Sequence, residues 1–208
     1  MPNIFMVGHS NYVMEDFISM LKRENITVLY DIRLMPFSRY VPQFNQPNLK
    51  QVLEEEGITY IYKKELGPRV DGDEPIFMKE GFGYAKVLAR TRLSKGLDEI
   101  VQSHGENENI AIMATKREPT ECHRFLVLAH IFKNKGSEVS HILPDETLSN
   151  RQYETKLTAM MHRRIKRKTF VQDDSCGETY NAYFAQSEKI AKVGMKKYNT
   201  LKKKVKSL

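Results

Sequence analysis

Ile4-Phe5-Met6-Val7-Gly8-His9-Ser10-Asn11 is an apolar run that stops at a glycine and turns polar. Four apolar residues in succession read as a short strand buried on both faces, with Gly8-His9-Ser10-Asn11 as the turn that ends it. A helical pattern runs from Met14 to Arg23 with Phe17, Ile18 and Leu21 on one face, and Asn25 closes it before a second β-rich run, Thr27-Val28-Leu29-Tyr30-Asp31-Ile32. Strand, helix and strand within about 30 residues make a βαβ unit, which requires parallel strands and a right-handed crossover.

Working outward, the alternation continues. Pro36, Pro42 and Pro47 punctuate a long connection from Leu34 to Asn48, followed by a helix to Glu56 and a strand at Thr59-Tyr60-Ile61-Tyr62. Residues 66–83 hold Gly67, Pro68, Gly72, Pro75, Gly81 and Gly83. A stretch this long without regular structure reads as a lid or binding loop, which Phe77 and Phe82 would either close or pin in the core. A helix from about Tyr84 to Ser103 leads to a fourth strand, Ile110 to Ala114. A Pro-opened helix, Pro119 to Asn134, then precedes a fifth strand, Glu138 to Ile142. Five strands alternating with helices predict a three-layer α/β fold with a largely parallel sheet. From Asp145 onward the pattern is helical apart from the loop Gln172 to Gly177, so residues 1–145 form the α/β domain and 146–208 a basic helical extension.

Composition supports this. With 208 residues, 40% hydrophobic and 28% charged, the chain fits one buried core with an extension and excludes collagenous, mucin-like and wholly disordered classes. No apolar run approaches the ~20 residues of a bilayer span, so no integral membrane association is expected. The start, Met1-Pro2-Asn3, lacks the basic region of a signal peptide. Two cysteines, Cys122 and Cys176, cannot build a disulfide framework or a four-thiolate zinc site. The expected location is cytoplasmic.

Charge divides the chain. Residues 1–150 carry 18 Lys and Arg against 21 Asp and Glu, whereas residues 151–208 carry 15 against 5. Arg163, Arg164, Lys166, Arg167 and Lys168 form one cluster and the lysines from Lys189 to Lys206 another. One reading is a surface for nucleic acid, whose phosphates give affinity through counterion release. The other is the solvated face of a docked helix, because Ile190, Val193, Tyr198, Leu201, Val205 and Leu208 approximate an apolar stripe.

In open α/β sheets ligands bind beyond the carboxyl ends of the strands. His9, Ser10 and Asn11 follow the first strand. Asp31 and Arg33 follow the second, with Ser38, Arg39, Gln43 and Asn45 beyond them, and Lys116, Arg117, Cys122, His123 and Arg124 follow the fourth. Acid, base, nucleophile and cations are thus expected on one rim. The candidate catalytic groups are His9, Asp31 and Cys122. The candidate anion or substrate ligands are Ser10, Asn11, Arg33, Arg39, Asn45, Lys116, Arg117, His123 and Arg124. Free N–H groups at a helix start attract anions, and arginine adds bidentate geometry for phosphate; the same dipole and cations lower the pKa of a thiol one turn inside. His9 or His123 would serve Cys122 as base. The structural alternatives are that Asp31 and Arg33 pair with each other, that Arg124 pairs with Glu118 or Glu121, and that Cys122 is a small core hydrophobe. Phe37, Tyr40, Phe44 and Tyr62 suit base stacking or core packing equally. His104 reads as exposed, and His130 and His141 as core residues. No metal site emerges, and no cofactor is named by the residues.

In order, Gly8-His9-Ser10-Asn11, Asp31-Ile32-Arg33, Pro36-x-Ser38-Arg39, Phe44-Asn45, Leu66-Gly67 and Arg117-Glu118-Pro119-x-x-Cys122-His123-Arg124 resemble the DUF488 family of small α/β proteins over about residues 3–143. The resemblance implies a compact three-layer domain with a pocket built from these motifs, and supplies no activity. It also implies a cysteine and a glutamate at positions where this chain has Ala114 and Lys116, so a two-cysteine mechanism is disfavoured and the pocket is more cationic. Three functions follow as expectations. The first is a strand-end pocket for a phosphate-bearing ligand, a nucleotide or nucleic acid, acting as a hydrolase or transferase if catalytic. The second is non-catalytic nucleic-acid binding by the basic extension, and the third is a thiol-dependent redox or metal-binding role.

Overall fold

A computed structural model describes residues 1–67, 69–70, 74–75, 91–119 and 122–156. Its elements are β1 (Asn3–Gly8), α1 (Met14–Arg23), β2 (Val28–Asp31), α2 (Gln46–Glu55), β3 (Thr59–Tyr62), β4 (Arg69–Val70), β5 (Glu74–Pro75), α3 (Thr91–Ser103) and β6 (Asn109–Ala114). A π-helical stretch (Arg124–Ala129) then runs into α4 (His130–Asn134), followed by β7 (Val139–Ile142) and β8 (Thr147–Ser149). Six strands form one sheet in the order β3-β2-β6-β1-β7-β8, and β4 pairs with β5 separately. The pairs from β3 to β7 are parallel. The five long strands are those the apolar runs predict.

Alternation of side chains along these strands divides the core into two layers. Val7, Leu29, Ala111 and Met113 face Phe17, Ile18 and Leu21 of α1 and Leu49 and Leu53 of α2. Ile4, Met6, Val28, Tyr30, Ile110 and Ile112 face Leu93, Leu97 and Ile100 of α3 and Phe125, Leu128 and Phe132 of the last helix. The helices therefore cover both faces of the sheet. That is the three-layer architecture, and it places β1 and β6 side by side with their following helices on opposite faces. Such a reversal opens a crevice beyond the strand ends, where α/β domains bind ligands.

Two expectations need correction. Thr147–Ser149 is not helical; it pairs antiparallel with β7, Ser140 opposite Ser149 and Ile142 opposite Thr147. Three mostly polar residues carry no period to read, and the pairing is fixed by Arg23, whose guanidinium donates to the carbonyls of Leu143 and Pro144 at 2.8 Å each. Helix resumes at Asn150, and Tyr153 is buried in the core beside Phe125 and His141. Nor is Pro119 to Asn134 one regular helix. Pro119 is in a 3-10 turn, the Cys122 N–H donates to its carbonyl at 3.0 Å, and the helix that runs on to Asn134 begins at His123. Cys122 therefore stands at the mouth of this helix, not a turn inside it. The region expected to be a lid, the start of the helix from Tyr84, Phe77, Phe82 and most of the basic extension lie outside the described residues.

Candidate functional site

The side chains that follow β1, β2 and β6 separate into two buried polar clusters, one on each face of the sheet, and an exposed rim. On the α1 and α2 face, Asp31 has no exposed surface. Its Oδ1 accepts from the Arg33 backbone N–H at 3.0 Å and from Nε at 2.9 Å. Its Oδ2 accepts from Arg33 Nη2 at 2.6 Å and from the Tyr60 hydroxyl at 2.7 Å. The carboxylate is saturated, as a buried charge must be to offset its lost hydration. Arg33 Nη1 also lies 3.3 Å from His9 Nε2. His9 Nδ1 lies 2.9 Å from the Ser10 carbonyl, so Nδ1 carries the hydrogen and Nε2 accepts from Arg33. Burial and the Arg33 charge hold the His9 pKa down to about 4. A neutral ring stacked 4.6 Å from Phe44 results. Its basic lone pair is engaged, so His9 and Asp31 form a sealed, neutral assembly.

On the opposite face, Arg124 is fully buried yet meets no carboxylate among the described residues. Its Nη1 donates to the Lys116 carbonyl and Nη2 to the Arg117 carbonyl at 2.9 Å, while Nε is buried without a hydrogen-bond partner. Arg124 thus fastens the loop after β6 instead of pairing with Glu118. The neighbouring His123 donates Nε2–H to the Leu66 carbonyl at 3.0 Å, which leaves Nδ1 facing the Cys122 Sγ at 3.7 Å. Burial pushes the thiol up, but the Arg124 and His123 charges and the hydrogen bonds from His123 and the Arg124 backbone outweigh it. The net effect pulls the Cys122 pKa down from 9.0 to about 6.

Gly8 joins the two clusters. A Cβ built there would lie 1.8 Å from the Lys116 carbonyl oxygen and 3.1 Å from Arg124 Nη2. Only glycine allows the β1 end to pass beneath the loop that Arg124 holds. The His9 and Ser10 N–H groups then donate to Ala114 at 3.1 Å and Thr115 at 3.0 Å, drawing the two strand-end loops together.

Above these clusters lies the rim. Ser10, half-buried with a φ of 46°, hydrogen-bonds Asn11, which is exposed. Lys116 and Arg117 are exposed, with the Arg117 guanidinium 5.4 Å above the Tyr12 ring. Gln43 donates to the Tyr12 carbonyl at 3.0 Å and so ties the loop after β2 to the same rim. In that loop Asn45 is turned inward, accepting from the Ser38 N–H at 2.6 Å, and Arg39 is exposed. The four aromatics also separate. Phe44 is buried and the Tyr62 hydroxyl donates to the Leu34 carbonyl at 3.1 Å, whereas Phe37 and Tyr40 point outward at 61% and 96% exposure.

Sequence reasoning missed Tyr60, although alternation along β3 puts it on the face that Asp31 shares. It also missed the Leu66 carbonyl, which fixes the His123 tautomer and leaves no trace in residue identity. His104 is not exposed; it bonds the Tyr30 hydroxyl at 2.7 Å and Glu108 at 3.0 Å. His141 is a core residue, bonded to Asn150 at 3.0 Å, and burial holds its pKa down to about 4. Arg163, Arg164, Lys166, Arg167 and Lys168 lie outside the described residues.

These features define a three-layer α/β domain with a mostly parallel sheet and polar side chains gathered at its strand ends. The model of the family described as "Domain of unknown function DUF488" matches residues 13–131, and the chain belongs to that family. No curated protein and no solved structure matches it. Among the described residues no helix is long and apolar enough to cross a membrane.

Proposed function

We propose that the domain binds a phosphate-bearing ligand, a nucleotide or a nucleic acid, in the crevice between β1 and β6. The observation that carries this reading is the buried Arg124 charge, which no carboxylate offsets among the described residues. A buried guanidinium bonded to carbonyls is weakly screened, so its field reaches the strand ends, reduced where the Cys122 thiol ionises and added to by the exposed Lys116 and Arg117. Lys116 and Arg117 stand exposed on the loop it holds, and a helix begins at His123, where the dipole is positive. Arg117, Arg39 and Lys116 contact the anion, with Ser10 and Asn11 as hydrogen-bonding groups. Arg124 acts from below by its field, and Arg33, His9 and Asp31 act by positioning the strand-end loops.

A second reading adds covalent chemistry, favoured by the thiol pulled down to about 6 beside an oriented imidazole. In it the Cys122 thiolate attacks the ligand's electrophilic centre. The displaced group leaves with its bonding electron pair and takes the proton from His123 Nδ1; water then attacks the adduct, returning a proton to His123 Nδ1 and releasing the thiolate.

Labelled oligonucleotides and nucleotides titrated across a salt series test the binding. Arg117→Glu is expected to weaken binding about 10-fold, and each phosphate contact removed lowers the salt slope by about 0.7 for a single strand. Unchanged affinity and slope would count against the crevice. Replacing Arg163, Arg164, Lys166, Arg167 and Lys168 by Gln tests the rival, in which the basic extension alone holds the polymer.

A further inference from the structure

The crevice has a neighbour that its anion chemistry does not use. Phe37 and Tyr40 project into solvent at 61% and 96% exposure, with Met35 beside them in sequence at 71%. Large apolar side chains on a loop are normally folded inward, and this loop does fold Phe44 inward completely. The loop is also built: the Ser38 N–H is fixed by Asn45, the Tyr40 N–H donates to the Ser38 hydroxyl at 3.1 Å, and the Gln46 N–H donates to the Pro36 carbonyl at 2.9 Å. Two outward rings therefore stand on a loop held by its own hydrogen bonds. Between them in sequence is exposed Arg39, and through Gln43 the loop adjoins Tyr12, on which Arg117 stacks.

We propose that Phe37 and Tyr40 are a base-stacking platform, and that the polymer this rim takes is a single-stranded nucleic acid. This rests on the crevice being an anion site. Charge complementarity selects the occupant. Aromatic faces interleaved with arginines match a chain that presents unstacked bases and phosphates together, whereas in a duplex the bases are stacked on one another and turned inward. A mononucleotide needs the cations but at most one ring. Stacking is tolerant of sequence, since every base has a π face, so the platform predicts preference for single strands over duplexes with little preference among bases.

The test uses the full chain with a labelled single-stranded oligothymidylate, a duplex of the same length, and ADP. The double variant Phe37→Ala/Tyr40→Ala should lose about 10-fold or more in single-strand affinity, while ADP, which uses at most one ring, loses clearly less. Arg117→Glu should weaken both. Because the chain has no Trp, Tyr40→Trp supplies a lone indole, which the single strand should quench with the affinity seen by anisotropy. Single-strand binding that survives the double variant but falls with Arg117→Glu would overturn the platform and leave the anion site standing. Loss of neither would remove both readings. Concentration-dependent self-association abolished by the double variant would assign the rings to a second copy of the chain, and would also overturn the proposal.

Discussion

Arg33 and Arg124 are both buried at the carboxyl ends of the sheet, one on each face, and they differ in what neutralises them. Arg33 meets Asp31 in a bidentate pair that Tyr60 completes. The result is a closed assembly with no net charge. Among the described residues Arg124 donates to carbonyl oxygens, and the Cys122 thiol beside it can become an anion. The same residue type thus does two jobs. Paired with a carboxylate it locks strand β2 to the turn after β1, and beside Cys122 it lowers the thiol pKa.

The largest effect is expected from breaking the closed side. Asp31→Ala leaves Arg33 buried without its partner and should cost about 3–5 kcal/mol in a urea titration. A loss below 1 kcal/mol would mean that the pair is solvated and the two sides are alike. Gly8→Ala comes next, since its methyl would overlap the Lys116 carbonyl that Arg124 holds. Forced repacking of this kind costs about 1–3 kcal/mol. It should also loosen the loop after β6, read as faster amide exchange at Thr115 to Arg117.

Acid sharpens the contrast through linkage. His9 and His141 have folded pKa values near 4 against an ordinary 6.5, so between these values the unfolded chain binds more protons. Their contribution to stability is complete above pH 6.5 and fades as pH falls toward 4. Cys122 has a folded pKa near 6 against 9.0, so its contribution is complete above pH 9 and fades as pH falls through 6. Denaturation midpoints should therefore rise with pH in two windows. Cys122→Ser should flatten only the upper one and leave the lower untouched. The smallest effect is Asn11→Ala at the exposed rim, expected within about 0.5 kcal/mol in stability and read as a change in ligand affinity alone.

How much of this could be read from the residues follows from the kind of interaction. Ile4 to Val7 and Ile110 to Ala114 announce themselves because strands buried on both faces are continuous apolar runs. Thr147 to Ser149 does not, because a three-residue edge strand is held by Arg23 from a distant helix and not by its own pattern. The Asp31-Arg33 pair was one of the readings open to the sequence, since two residues at a strand end with opposite charge are near enough to meet. The partners of Arg124 were not, because backbone carbonyls are the same at every position. The expectation of one rim also misses the division by face, since His9 and Asp31 follow the alternation of their own strands while Cys122 enters with the helix behind β6.

Alkylation of Cys122 by iodoacetamide as a function of pH, in the Cys176→Ser background and again with Arg124→Met, measures the difference between the two arginines directly. The account predicts a reactivity midpoint near pH 6 for the first protein. In the Arg124→Met variant the midpoint should move up by at least one unit, with circular dichroism unchanged. A midpoint between pH 8 and 9 in both would make Cys122 an ordinary buried thiol and Arg124 a structural strut, and the crevice would lose the positive floor on which its proposed ligand depends.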